Sequence, residues 1–137
     1  MVTDILVPTD GSEPAKRAFD HALEMASVEH AHLHLLHIVD SVRYGEPALS
    51  SAELVVTEQE DAATKQMARL STQARQRGVE ATHETARGDP IVEIQRVVDT
   101  DGIDTVVLGR QGFQHRRSMG SLAGKLLRRS DVDVVLV

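Results

Sequence analysis

The sequence VVLGRQG at residues 106–112 is the most informative segment of the chain. It is followed by the basic loop FQHRRSM at 113–119 and then by Gly120-Ser121-Leu122. The apolar run predicts a buried strand, and the glycines with the Gly-Ser step predict a turn into a final helix. Glycines let backbone N–H groups approach an anion closely, and the first turn of a helix offers unpaired donors. The stretch predicts a phosphate-binding loop; the alternative is a strand-to-helix connection that only needs turn residues.

Size and composition predict one globular domain spanning residues 1–137. A chain of this length can bury a single core, and 41% of its residues are hydrophobic. It contains no cysteine, which excludes disulfides, thiol catalysis and thiolate metal sites. No run approaches the ~18 apolar residues of a membrane span, and the start, MVTDILVP, has no basic leader before an apolar stretch. We therefore expect a cytoplasmic protein with no membrane partner.

The net charge of −6 is unevenly distributed. Residues 109–130 carry six basic side chains and no acid, whereas the rest of the chain carries 9 bases and 21 acids. A basic patch on an acidic protein suits a small anion better than a nucleic-acid duplex. Arg128 and Arg129 have a simpler explanation, because cations stabilise a helix C-terminus, but Arg110, Arg116 and Arg117 lie in the loop. With two Phe, one Tyr and no Trp, the chain also lacks a platform for stacking bases, so we expect no nucleic-acid partner.

Predicted strands and helices alternate along the chain. Apolar runs predict strands at 3–9, 31–39, 104–108 and 132–137, and a weak alternation of polar and apolar residues predicts one at 79–86. Apolar residues spaced by three and four predict helices at about 13–28, 53–77, 90–101 and 121–130, with a loop at 40–52. Strands joined by helical crossovers are parallel. The pattern therefore predicts an α/β fold: an open five-stranded parallel sheet of order 3-2-1-4-5, with helices on both faces and the polar strand 79–86 at an edge.

This topology predicts where a ligand binds. In such sheets, ligands bind beyond the carboxyl ends of the strands, where the strand order reverses. Here the order reverses between the first and fourth strands, which end in Pro8-Thr9-Asp10-Gly11 and in the loop 109–112. The glycine loop thus falls where the topology already predicts a pocket, and this agreement favours the phosphate-binding interpretation.

Two other phosphate chemistries fit the sequence less well. Residues 120–125 resemble a Walker A loop, but only three residues separate the glycine from Gly124, and Lys125 is followed by Leu126 instead of a hydroxyl side chain. A phospho-acceptor receiver domain shares the architecture but requires clustered acids at the strand ends. Asp10 has no acidic neighbour, so both alternatives are set aside.

The histidines of the second strand predict neither a metal site nor a catalytic site. His30, His32 and His34 share one face of a regular strand, but a flat row of ligands cannot surround an ion, and the sequence shows no nearby acids. A polar strand start near the surface is the favoured interpretation. His37 points the other way and is expected to pack beside the pocket. The loop residue His115 is a titratable candidate, but no side chain is clearly placed as a base for water.

Taken together, these motifs resemble the universal stress protein family of adenine-nucleotide-binding α/β domains. The resemblance covers the whole chain. Its elements are the opening ILVPTDGS at 5–12, LLHIV at 35–39, Gly88-Asp89-Pro90, VLGRQG at 107–112, Gly120-Ser121 and the closing valine-rich strand.

The resemblance implies a set of nucleotide-binding residues and a cofactor. The cofactor would be ATP or AMP, with Mg²⁺ as an accompanying ion. Since no side chain is clearly placed as a base for water, we expect no more than slow ATP hydrolysis. Pro8, Thr9 and Asp10 would meet the ribose and adenine, and the backbone of Val39 would read the adenine edge. Leu108 and Gly109 would close over the nucleoside, whereas the phosphates would face Gly112, Gly120, Ser121 and Leu122.

The glycine loop departs from the family spacing. Seven residues separate Gly112 from Gly120, two fewer than in the ATP-binding members. We interpret the loop cations, Arg116 among them, as a partial replacement for the lost backbone donors. Two functions remain open: a nucleotide-binding stress-response module, or a protein-interaction module of the same fold that no longer binds nucleotide. Both predict a homodimer that pairs through the exposed C-terminal strand.

Overall fold

The computed structural model describes residues 2–39, 50–109 and 131–137. Strands and helices alternate there as the sequence predicts. The elements are β1 (Asp4–Thr9), α1 (Glu13–Glu29), β2 (His32–Val39), α2 (Ser50–Gln76), β3 (Ala81–Arg87), α3 (Pro90–Asp101), β4 (Thr105–Leu108) and β5 (Asp133–Leu136). The helix predicted at 121–130 lies outside the described residues.

The strands form one sheet with the order β3-β2-β1-β4-β5, and each neighbouring pair is parallel. This confirms the predicted topology. The central strand β1 is buried on both faces, and its residues Ile5, Leu6 and Val7 are at most 1% exposed. The more polar β3 lies at one edge of the sheet, as an edge strand in contact with solvent should, and the valine-rich β5 lies at the other.

Helix starts coincide with the capping residues seen in the sequence. The Ser12 side chain accepts a hydrogen bond from Ala15 N at the start of α1, and Asp89 accepts one from Ile91 N at 2.9 Å at the start of α3. Both helices carry a proline in the first turn, where its missing N–H costs no intrahelical bond. Gly102 ends α3 in the left-handed conformation.

Two hydrophobic cores lie on opposite faces of the sheet. One face packs α1 and α2 against the sheet through side chains that include Phe19, Leu23 and Met67. The other face packs α3, with Ile94 and Val98, against side chains of the central strands. None of the helices in the described part of the chain combines the length and hydrophobicity that a bilayer crossing requires.

Several boundaries differ from the sequence prediction, most of them by one or two residues. The second helix begins at Ser50 instead of Glu53, so its first turn includes serines that the sequence predicted to lie in a loop. His30 does not belong to β2. It ends α1 in the left-handed conformation, with φ of 55°, and its N–H bonds to Ala26 O. The predicted row of three strand histidines is therefore wrong, and β2 begins at His32.

Asp104 joins β4 to β1 at the amino-terminal edge of the sheet. Its Oδ2 accepts hydrogen bonds from Thr3 N at 2.9 Å, Thr3 Oγ1 at 2.7 Å and Asp4 N at 3.1 Å. Burial acts to raise the pKa of Asp104, but hydrogen bonds from Thr3, Thr105 and Asp4 outweigh it and hold the pKa below its ordinary value. This carboxylate therefore holds together the two strands between which the strand order reverses.

Candidate functional site

The predicted site begins where β1 and β4 end side by side. Register pairs join the two strands directly, Ile5 with Thr105 and Leu6 with Val106. Pro8 and Thr9 are buried at the end of β1, and Leu108 is buried at the end of β4. Asp10 follows β1 and is half-buried. The structure therefore brings together four of the predicted contacts with the nucleoside at one edge of the sheet.

Local hydrogen bonds shape the turn that carries Asp10. Thr9 Oγ1 accepts a hydrogen bond from Gly11 N at 3.1 Å, and Asp10 Oδ1 accepts one from Ser12 N at 3.0 Å. Gly11 adopts φ of +84°, which an L side chain adopts only with strain. Short hydroxyl and carboxylate side chains that bond to the backbone two residues ahead are typical of such turns. The sequence Thr-Asp-Gly-Ser thus places a carboxylate at the mouth of the crevice in a defined orientation.

Gly109 lies directly after β4 and packs against Pro14 in the first turn of α1. The backbone at this position needs no left-handed conformation, because Gly109 is not among the described glycines with positive φ. Its lack of a side chain is instead required by this close packing. The glycine therefore brings β4 and the start of α1 together at the crevice, which the glycine pattern alone did not indicate.

Val39 ends β2, on the far side of β1 from β4. Its carbonyl oxygen accepts a hydrogen bond from Gly88 N at 3.0 Å, the glycine that precedes α3. A carbonyl oxygen has two lone pairs, so this bond leaves one acceptor direction at Val39. The structure therefore places Val39 at the same edge as Asp10, with part of its backbone already paired to the β3–α3 turn.

His37 is buried next to this edge, as the sequence predicted, at 8% exposure. Burial lowers its pKa, and the negative charge of Asp10 offsets part of that effect. The Nδ1 atom of His37 has no hydrogen-bond partner among the described residues. A buried polar atom without a partner is unusual, and no sequence pattern distinguished this histidine from an ordinary packed one.

The phosphate end of the predicted site lies outside the described residues. This applies to Gly112, Arg116, Gly120, Ser121 and Leu122, and also to the other loop residues singled out above: Arg110, His115 and Arg117. The described geometry therefore concerns the nucleoside end of the predicted site.

The strand histidines have acidic neighbours that the sequence did not reveal. His34 Nε2 lies 3.0 Å from Asp4 Oδ1, and His32 Nδ1 lies 3.6 Å from Glu80 Oε2. Both acids come from other parts of the chain, brought close by strand pairing. Within residues 2–39, 50–109 and 131–137, no group of three or more histidines and acids has a geometry that could hold a metal ion.

A cavity of about 210 Å³ lies away from the predicted site, between α3 and strands β2 and β3. Its floor is apolar, with Leu6, Leu36 and Val97, and its rim includes His34, Glu84 and Asp101. Glu84 is ion-paired with Arg96, and Asp101 lies 4.0 Å from His34. These charged side chains of the rim thus have partners within the protein.

Comparisons with known proteins agree on one family. The profile of the universal stress protein family matches residues 1–137. A universal stress protein of Methanocaldococcus jannaschii is 28% identical over 136 residues, which cover 97% of this chain and 80% of that protein. The solved structure of the universal stress protein UspA from Lactobacillus plantarum is 27% identical, with a TM-score of 0.83 and coverage of 98% and 97% of the two chains.

Two more distant solved structures share the fold and were determined with adenine nucleotides. One is a universal stress protein in complex with cAMP, at 22% identity and a TM-score of 0.70, covering 98% of this chain and 96% of its own. The other is an Arabidopsis thaliana family member with AMP bound, at 20% identity and a TM-score of 0.64, covering 98% and 90%. With the family profile matched along its full length, this chain belongs to the universal stress protein family.

Proposed function

We propose that the chain is a cytoplasmic stress-response module that binds AMP or ATP at the carboxyl ends of β1 and β4. The observation that carries the proposal is the half-buried carboxylate of Asp10, held by its own turn where the strand order reverses. A carboxylate there can accept hydrogen bonds from both hydroxyls of a ribose. Family membership and the nucleotide-bound relatives support the assignment.

The proposed adenosine contacts come from three strand ends. Pro8, Thr9 and Asp10 contact the ribose and adenine, and the Val39 backbone contacts the adenine edge. Leu108 and Gly109 form the wall on the β4 side. All of these positions except Asp10 are buried, so the nucleoside would enter a largely preformed crevice.

The proposed phosphate contacts come from the glycine loop and from the start of the helix that the sequence predicts at 121–130. They are Gly112, Gly120, Ser121 and Leu122, with Arg116 as a compensating cation for the shortened loop. Backbone N–H groups at a helix start favour an anion. A bound triphosphate would bring Mg²⁺ with it, because this ion is held mainly by phosphate oxygens and water.

Calorimetric titration of the stripped and refolded protein with ATP, ADP and AMP, with and without Mg²⁺, tests the proposal. The matched variants are Asp10→Asn and Asp20→Asn. Asparagine at position 10 keeps an oxygen for the Ser12 N–H but loses the charge, so AMP affinity should fall about tenfold, the loss of one charge-assisted hydrogen bond. Asp20 is exposed on α1 and pairs with Lys16, so its variant should bind normally. Equal affinities for all three proteins would contradict the role of Asp10.

The loop cation is tested separately. Arg116→Ala should lower the affinity for ATP more than the affinity for AMP, because the charge of Arg116 acts on the outer phosphates. The control is Arg69→Ala, an exposed arginine of α2. Equal losses for ATP and AMP would contradict the compensating role of the loop.

The shortened loop also favours a second candidate function. Seven residues between Gly112 and Gly120 leave fewer backbone donors for a triphosphate, and a module that has lost nucleotide binding would act through protein contacts. No heat with any nucleotide, from protein shown to be folded, would favour this alternative. In both cases we propose a homodimer formed through β5, which lies at the edge of the sheet.

A further inference from the structure

His37 occupies the middle of a polar row that crosses three strands beneath the proposed site. It pairs in register with Thr9 of β1 and with Thr85 of β3. Residues in register on neighbouring parallel strands point to the same face, here the face covered by α1 and α2. The earlier positions on this face of β2, Leu33 and Leu35, are buried hydrophobic residues. On this face of β2, the buried imidazole of His37 therefore follows two buried hydrophobic side chains and is the polar exception.

The imidazole lies directly beneath the turn that carries Asp10. A Cβ built on Gly11 would lie 3.6 Å from His37 Nε2 and 3.5 Å from Gln66 Oε1 of α2. The turn, the histidine and α2 thus meet at one point. His37 Nδ1 is buried without a hydrogen-bond partner among the described residues, so packing alone does not account for a histidine here.

We propose that His37 is a positioning residue of the nucleotide site, and that binding of a phosphate-bearing nucleotide is coupled to uptake of a proton by its imidazole. The inference rests on the proposed function, because it requires nucleotide binding at the Asp10 turn. It extends that function by assigning a proton linkage and a pH dependence to the same site.

The charges around His37 set the direction of the coupling. Asp10 is the charged group of the turn above it. From α2 and β3, Glu60 and Arg87 form an ion pair whose charges largely cancel, and His83 is exposed on the same face of β3. Burial favours the neutral imidazole and Asp10 favours the charged one. Added phosphate charge in the crevice strengthens the attraction for a proton, and exclusion of water lowers the screening.

Linkage then gives the sign of the pH dependence. A bound anion raises the pKa of His37, so the complex holds more protons than the free protein between the two pKa values. Affinity for AMP should therefore increase as the pH falls, about tenfold for each unit by which binding raises this pKa. Adenosine carries no phosphate and can only add burial, which favours the neutral imidazole, so its affinity should not increase as the pH falls.

The test is calorimetric titration of the full chain with AMP and adenosine between pH 5.5 and 7.5, in buffers of different ionisation enthalpy, which reports the protons taken up per nucleotide. The phosphate of AMP itself titrates near pH 6, so the decisive comparison is wild type against His37→Gln. The matched control is His83→Gln. We expect AMP-linked proton uptake to fall in His37→Gln and to stay at the wild-type value in His83→Gln.

The outcomes separate this inference from the proposed function. If His37→Gln binds AMP with the same proton uptake as the wild-type protein, the linkage is overturned and nucleotide binding stands. No heat from folded wild-type protein at any pH would overturn both. If His37→Gln fails to fold, an NMR titration of the wild-type His37 imidazole replaces it. A pKa that rises on saturation with AMP supports the proposal, and an unchanged pKa overturns it.

Discussion

Gly109 and Pro14 are in such close contact that a Cβ on Gly109 would lie 2.5 Å from the Pro14 carbonyl oxygen. That oxygen belongs to the first turn of α1, and the side chain of Pro14 lies only 3.0 Å away from the same point. Neither backbone can move without shifting the contact between β4 and α1. The glycine therefore has a structural role that is independent of any ligand.

We expect Gly109→Ala to destabilise the fold by about 1–3 kcal/mol, the usual cost of overpacking a tight contact. Urea unfolding without nucleotide measures it. Gly78→Ala is the matched control, because no atom lies within 4 Å of the added methyl group and only its φ of +75° is unfavourable, at about 1 kcal/mol. A smaller loss for Gly109→Ala than for Gly78→Ala would show that the contact relaxes easily.

Asp104→Asn should destabilise the protein at neutral pH and make its free energy of unfolding less dependent on pH in acid. The hydrogen bonds from Thr3 and Asp4 depress the pKa of this carboxyl in the folded state. Its stabilising effect is therefore complete above the ordinary aspartate pKa of about 3.9, and is lost as the pH falls through the lower folded value. We expect a loss of about 1 kcal/mol at pH 7, the usual net contribution of one hydrogen bond, and a smaller loss at pH 3, both measured from denaturant midpoints. Asp133 is exposed, so Asp133→Asn should leave the stability unchanged at both pH values. An equal effect of the two variants would contradict the role of Asp104.

His37→Gln should make the ligand-free protein less sensitive to mild acid. Burial depresses the pKa of His37 in the folded state, so the unfolded chain takes up a proton first as the pH falls below about 6.5. The folded state loses stability from that pH down to the lower folded pKa. Thermal unfolding between pH 7.5 and 5 should show a shallower decline in the variant than in wild type. Parallel curves would show that His37 does not titrate differently in the two states.

Leu136→Lys should convert the proposed dimer to a monomer without unfolding it. Leu136 is 46% exposed on the edge strand β5, whereas its neighbours Val135 and Val137 pack against the core. Val28→Lys replaces an equally apolar residue that is 68% exposed on α1, and should leave the dimer intact. Light scattering at micromolar concentration is the measurement. A monomeric wild-type protein would contradict the dimer.

The turn at the end of β1 could be predicted from the sequence, whereas most contacts around it could not. Thr9, Asp10 and Gly11 form a turn from local hydrogen bonds, and local chemistry is visible in sequence. The pairing of His34 with Asp4 joins residues 30 positions apart, so the acids beside the strand histidines were missed. The role of Gly109 was also missed, because a glycine required for packing looks the same in sequence as one required for phosphate.

The sequence alone was sufficient to predict the order of elements, the parallel sheet and the starts of α1 and α3. These features depend on hydrophobic periodicity, helical crossovers and capping side chains, which are local in the chain. Only the tertiary structure shows which distant groups are in contact. These are Asp104 with Thr3 and Asp4, Gly109 with Pro14, and His37 with the turn that carries Asp10. These contacts depend on strand register and helix packing. They arise only when distant strands pair in register and the helices pack on the sheet.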